Sequence, residues 1–234
     1  MDVRRIWQGS NKFDKEKNMT IAFLGDSITF GYALEDKSCR YSTLVCEKLG
    51  ADEINHGITG TLVAKAGLSR DDGTAYVDRL DLVLDADVTV IFGGTNDYFW
   101  SDRPIMPPDG ECAPEYFYCA LNKLCKRIKE ARGGKPTLFV TPYPHHGIGN
   151  FKGGEHFKDK SEHDTSEINY NGQVISDYVD AIKEVCGKYE IPVLDLYYGS
   201  DFDWRIMTSD GCHPNPVGHK WLADKVTVAL QKIN

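Results

Sequence analysis

Three residue types suited to acyl transfer stand near the two ends of this chain. Ser27 follows Gly25-Asp26, and Asp210-Gly211-Cys212-His213-Pro214-Asn215 lies close to the carboxyl end. Acyl transfer needs a nucleophile, a base for its proton, a group that holds the base in one tautomer, and donors for the developing oxyanion. Ser27 offers the hydroxyl and His213 the imidazole. Asp210, three residues before the histidine, is near enough for one turn to bring its carboxylate to the ring. The candidate oxyanion donors are the N–H of Ser27, the N–H of Gly60 and the side-chain amide of Asn96. Each residue also has a structural reading: a turn serine, a loop histidine ahead of a helix, a turn-capping asparagine, a tight bend at Gly60.

These residues need elements that bring them together. Met19–Leu24 is a short apolar run with the content of a buried strand, and it stops at Gly25-Asp26-Ser27. A second strand around Glu53–Asn55 leads into His56–Thr61. Val88–Phe92 leads into Gly93-Gly94-Thr95-Asn96-Asp97, and further strands are expected at Thr137–Thr141 and Pro192–Leu196. Between them the apolar spacing predicts helices over 41–49, 75–86, 115–132, 166–188 and 217–233. Residues 98–114 read as a loop, and so do residues 145–165, too long a stretch for a simple connection. Strands alternating with helices predict one α/β domain over 1–234, with residues 1–17 as an extension. Its architecture is a three-layer α/β/α sandwich on a five-stranded, mostly parallel sheet. Parallel sheets place ligands outside the carboxyl ends of their strands, which is where Ser27, Gly60 and Asn96 fall.

In that order the motifs match a known pattern. Gly25-Asp26-Ser27-Ile28-Thr29, Asn55-His56-Gly57-Ile58-Thr59-Gly60, Gly94-Thr95-Asn96-Asp97 and Asp210–Asn215 resemble the blocks of the SGNH hydrolases, also called GDSL-type esterases and lipases. The G-x-S-x-G elbow of α/β-hydrolases is not met, because position 29 is threonine. The resemblance implies a flavodoxin-like fold and metal-independent, cofactor-free ester hydrolysis through an acyl-enzyme. It assigns Ser27, Asp210 and His213 to catalysis and Ser27, Gly60 and Asn96 to the oxyanion hole.

The rest of the sequence narrows the substrate. The net charge of −8, with scattered Lys and Arg, argues against nucleic acid and against a polybasic membrane contact. No segment is long and apolar enough to span a bilayer, and no export signal is visible, so the expected location is cytoplasmic. An exported precursor cut before this point would look the same. The seven cysteines contain no C-x-x-C pair and read as free thiols. His145, His146, His156 and His163, with Glu155, Glu162 and Asp164, read as a solvated loop. Asp26 and Asp97 read as loop braces beside the site; with Tyr98, Trp100 and Tyr143 they are the candidate substrate-binding residues. The expected partner is a small-molecule or oligosaccharide ester, most simply an acetylated carbohydrate. The alternatives are a longer acyl chain, as in lysophospholipids or thioesters, and a binding domain without catalysis.

Overall fold

In the computed structural model, which describes residues 18–65, 73–145, 168–169 and 171–233, five strands form one parallel sheet. They are β1 (Thr20–Gly25), β2 (Asp52–Gly57), β3 (Val88–Phe92), β4 (Thr137–Val140) and β5 (Val193–Leu194), in the order β2-β1-β3-β4-β5. Leu24 pairs with His56 on one side and with Ile91 on the other, so β1 lies between the two strands that carry the other loops of the site. Chain direction along the sheet reverses next to β1. In this doubly wound order the crevice at the reversal is the ligand position.

Alternation along the strands divides the core. Ile21 and Phe23 of β1, with Val88, Val90 and Phe92 of β3, pack on Tyr41, Val45, Leu222 and Val226. Those partners belong to α2 (Tyr41–Leu49) and α8 (Pro216–Leu230). Ala22, Leu24, Ile91 and Phe139 point the other way, onto Leu121, Leu124, Tyr178 and Ile182. Those residues come from α5 (Phe117–Arg132) and α6 (Ile175–Lys188). Strands β1, β3 and β4 are buried on both faces, which is why they read as continuous apolar runs.

Several boundaries differ from the sequence reading. The helix expected at 75–86 is one α-turn, α3 (Tyr76–Arg79), followed by a 3₁₀ turn over Leu80–Val83. The loop expected from residue 98 begins later, because α4 (Thr95–Trp100) carries Asn96, Asp97 and Tyr98. Helix α6 begins at Ile175, after a turn in which Asn169 accepts from the N–H groups of Asn171 and Gln173. Two further short helices, α1 (Ser27–Phe30) and α7 (Trp204–Met207), have no apolar period and escape a periodicity search.

One cysteine expectation is corrected. Cys112 and Cys119 form a disulfide with a Cα–Cα distance of 5.5 Å. Cys112 lies in the loop before α5 and Cys119 in its first turn, so the chain's return into the helix brings them together. Cys39, Cys46, Cys125, Cys186 and Cys212 are free. Among the described residues no helix is long and apolar enough to cross a membrane. The 1–17 extension and residues 146–167 lie outside the described residues.

Candidate active site

Ser27 opens α1 directly after β1. Asp26 caps that helix, its carboxylate accepting from the Ile28 N–H at 2.9 Å, and the first N–H of the helix, that of Ser27, has no intrahelical acceptor. Gly57 allows this turn to sit tightly on β2: a Cβ there would lie 2.2 Å from the Phe30 backbone nitrogen.

The base comes from the turn before α8. Thr208 and Pro214 form an isolated antiparallel bridge, and Asn215 caps α8 by accepting from the N–H groups of Val217 and Gly218. The Asn215 amide also donates to the carbonyl of Ile206, so one side chain fixes both ends of the turn. Tyr143 Oη donates to the Cys212 carbonyl at 2.7 Å from beneath. Within this frame Asp210 Oδ1 accepts from the backbone N–H groups of Cys212 and His213, and Oδ2 lies 2.6 Å from His213 Nδ1. His213 Nε2 lies 3.0 Å from Ser27 Oγ. The expected nucleophile, base and acid therefore form one continuous hydrogen-bonded line.

The opposite side holds the oxyanion candidates. Gly60 has a φ of +73°, in the left-handed region that favours glycine, in the turn after β2. Asn96 Nδ2 donates one hydrogen to the Thr61 carbonyl at 3.0 Å, which fixes the amide and leaves its second hydrogen. The neighbouring Asp97 carboxylate accepts from the N–H groups of Val63 and Ala64 at 2.9 and 3.0 Å. Adjacent residues of α4 thus grip both ends of the segment following Gly60. Arg79, buried at 6% exposure, adds a staple that the sequence reading missed. It donates to the carbonyls of His56, Gly25 and Thr74 and to Thr61 Oγ1. It therefore joins the ends of β1 and β2 to the Gly60 turn. A single arginine in a short helix carries no spacing signal that would reveal this.

Comparison with known proteins gives the family and the fold. The model of the GDSL-like Lipase/Acylhydrolase family matches residues 23–221. The chain belongs to that family. An acetylxylan esterase of Xylanibacter ruminicola is 25% identical over 96% of this chain and 46% of its own length. The chain thus spans about half the length of that curated relative. Among solved structures, a Lactobacillus plantarum protein is 28% identical, with a TM-score of 0.72 over 92% of this chain and 97% of its own. A possible lipase from Chitinophaga pinensis shares the fold at 20% identity, with a TM-score of 0.70 over 92% of this chain and 98% of its own.

The family is one of lipases and acylhydrolases, and the electrostatics of this site suit that chemistry. Burial raises the Asp210 carboxyl, but bonds from the His213 ring and from the His213 and Cys212 N–H groups outweigh it and hold it at about 2. Asp210 therefore stays ionised beside the imidazole throughout the neutral range. Asp26 and Asp97 run the other way. Burial pushes Asp26 up to about 6, opposed by the Ile28 N–H, and pushes Asp97 up to about 7, opposed by the Ala64 and Val63 N–H groups. An unfolded chain releases both protons near pH ~4, so between that point and about 6 to 7 the folded state holds more protons. Stability should therefore fall as pH rises through this window. The opposite contribution, from Asp210, is lost only as pH falls toward 2. Asp26→Asn keeps the acceptor for Ile28 and removes one titration. Thermal melts from pH 4 to 8 should show a flatter slope for this variant than for the parent, most clearly below pH 6.

The other expected site residues fall differently. Asp26, Asp97, Tyr98 and Tyr143 are buried and lie beneath the site, which corrects their candidacy as open substrate contacts. Asp26 and Asp97 are occupied with backbone N–H groups, and Tyr143 supports the histidine turn. Tyr98 packs in the core against Tyr178, with centroids 5.9 Å apart, because α4 turns it inward. Trp100, half-buried, ends α4. His145 is not solvated as expected: it is buried, stacked on Phe99 at 4.9 Å. His146, His156, His163, Glu155, Glu162 and Asp164 lie outside the described residues. Among the described residues no group of three His, Cys, Asp or Glu side chains is placed to hold a metal.

Losing the Asn96 amide removes one aligned donor while leaving Ser27 and His213 in place. Asn96→Ala should lower kcat by about 10²–10³ with little change in KM. Steady-state kinetics on p-nitrophenyl acetate checks this.

Proposed function

We propose that this chain is a serine esterase that removes short acyl groups, acetyl above all, from carbohydrate hydroxyls. The observation that carries the reaction is the line from Asp210 through His213 to Ser27, at 2.6 and 3.0 Å. In the first half-reaction Ser27 Oγ attacks the ester carbonyl carbon while its proton passes to His213 Nε2. The carbonyl oxygen gains the negative charge and meets the N–H groups of Ser27 and Gly60 and the free hydrogen of the Asn96 amide. As the tetrahedral intermediate collapses, the bond to the alcohol oxygen breaks and His213 returns its proton to that oxygen. The second half repeats these steps with water, giving the carboxylic acid and restoring Ser27. Asp210 stays ionised and stabilises the imidazolium that each half-reaction creates.

The sugar alcohol and the short acyl group are supported by the acetylxylan esterase among the relatives and by the acidic charge balance of the chain. The Cys112–Cys119 bond favours an oxidising compartment over the cytoplasm. Initial rates on p-nitrophenyl acetate, butyrate, octanoate and palmitate test the acyl preference. A steep fall beyond acetate supports the proposal. A maximum at octanoate or longer overturns it in favour of a lipid or thioester substrate.

A further inference from the structure

Tyr32 is held against His213 and left open to solvent, and nothing in the acyl-transfer line uses it. Its ring centroid lies 4.6 Å from that of the imidazole, tilted by 52°, and the residue is 48% exposed. Its backbone is fixed to the nucleophile. Gly31, with φ +78°, ends α1 by donating to the Ile28 carbonyl, and the Tyr32 N–H then donates to the Ser27 carbonyl at 2.8 Å. Lys37 secures the same turn from outside: its Nζ donates to the Gly31 carbonyl at 2.6 Å and lies over the Phe30 ring at 4.6 Å. A large aromatic ring is thus presented to water beside the imidazole, on a turn held by backbone hydrogen bonds and by Lys37.

The chemistry of the reaction says which part of the substrate this ring meets. His213 Nε2 must reach the leaving alcohol oxygen to protonate it, so the alcohol lies on the imidazole side of the site while the carbonyl oxygen points to the Asn96 and Gly60 donors. We propose that Tyr32 is the alcohol-side contact, its exposed face taking the C–H face of a ring-bearing alcohol such as a pyranose. The sugar class rests on the esterase reading above; the position of the contact rests on His213 alone. An aromatic face against axial C–H groups adds dispersion and apolar burial without requiring a particular hydroxyl pattern. Tyr32 thereby selects for ring shape rather than for one sugar.

The test holds the acyl group fixed and varies the alcohol. Ethyl acetate, cyclohexyl acetate and a monoacetylated methyl xyloside are compared in the parent, Tyr32→Ala and Tyr32→Phe. Enzyme concentrations are set by titrating Ser27 with a fluorophosphonate, so misfolded protein does not enter the rates. Tyr32→Ala should lower the ratio of kcat/KM for cyclohexyl over ethyl acetate on the order of tenfold, through KM, and Tyr32→Phe should keep the parent ratio. The xyloside should follow cyclohexyl acetate. An unchanged ratio in Tyr32→Ala overturns the assignment, and so does an equal loss on all esters, which would mean that Tyr32 acts on His213 instead. If the cyclohexyl ratio depends on Tyr32 while the xyloside is not hydrolysed by the parent, Tyr32 stands and the sugar reading falls.

Discussion

Ser27→Ala should abolish turnover, lowering kcat by about 10⁶ while leaving substrate affinity almost unchanged. The reason is that every later step depends on the bond made by Ser27 Oγ. Without it, His213 has no nucleophile to activate, and the oxyanion donors are left polarising a carbonyl that only water can attack. The two changes Ser27→Ala and His213→Ala should therefore combine far less than additively: the double variant should be about as slow as either single one. Kinetics on p-nitrophenyl acetate with carefully purified variants reads this directly. Separate, multiplying losses would mean that the serine and the histidine do not act as a unit, despite the 3.0 Å between them.

Asp210→Asn should cost about 10⁴ in kcat without unfolding the turn. The asparagine oxygen can still accept the backbone N–H groups that Asp210 Oδ1 receives at 3.0 and 2.7 Å. Its amide, however, would face His213 Nδ1, where the carboxylate Oδ2 now lies at 2.6 Å. Two N–H groups cannot share that contact, so the imidazole must move its proton to Nε2. That nitrogen then offers Ser27 a donor instead of a base, and the charge that stabilises the imidazolium is gone as well. Circular dichroism should match the parent and melting should fall only by the modest contribution of the lost charge, while single-turnover acylation should slow by the same factor as kcat. A loss of less than tenfold would contradict the role given to Asp210.

Much of this site was legible from the sequence because its parts are local. Asp210 and His213 are joined by a single turn, Gly25-Asp26-Ser27 is a strand exit, and Asn96 follows an apolar run that has no other use than a buried strand. The doubly wound sheet then follows from four such runs and the more polar β2 segment, separated by helical spacing. What escaped reading depends on long-range contacts. Arg79 becomes a staple only because its guanidinium is folded under the ends of β1 and β2. Tyr98 and Tyr143 follow strand ends, as pocket residues do, and only the path of α4 and the packing of the histidine turn turn them inward. Tyr32 escapes reading for the same reason: a left-handed glycine reverses the chain after α1 and returns the ring to His213, which comes from the far end of the sequence. Cys112 and Cys119 carry no motif, and their bond depends on how the loop enters α5.

The central claim is that Ser27 is the single activated nucleophile, and covalent labelling tests it most directly. The protein would be treated with a fluorophosphonate, and the adduct located by mass spectrometry of its peptides while residual esterase activity is followed in parallel. One adduct per chain, on Ser27, with activity lost in proportion and labelling greatly slowed in His213→Ala, is the predicted result. An adduct on another residue, or full activity after complete labelling of Ser27, would contradict it.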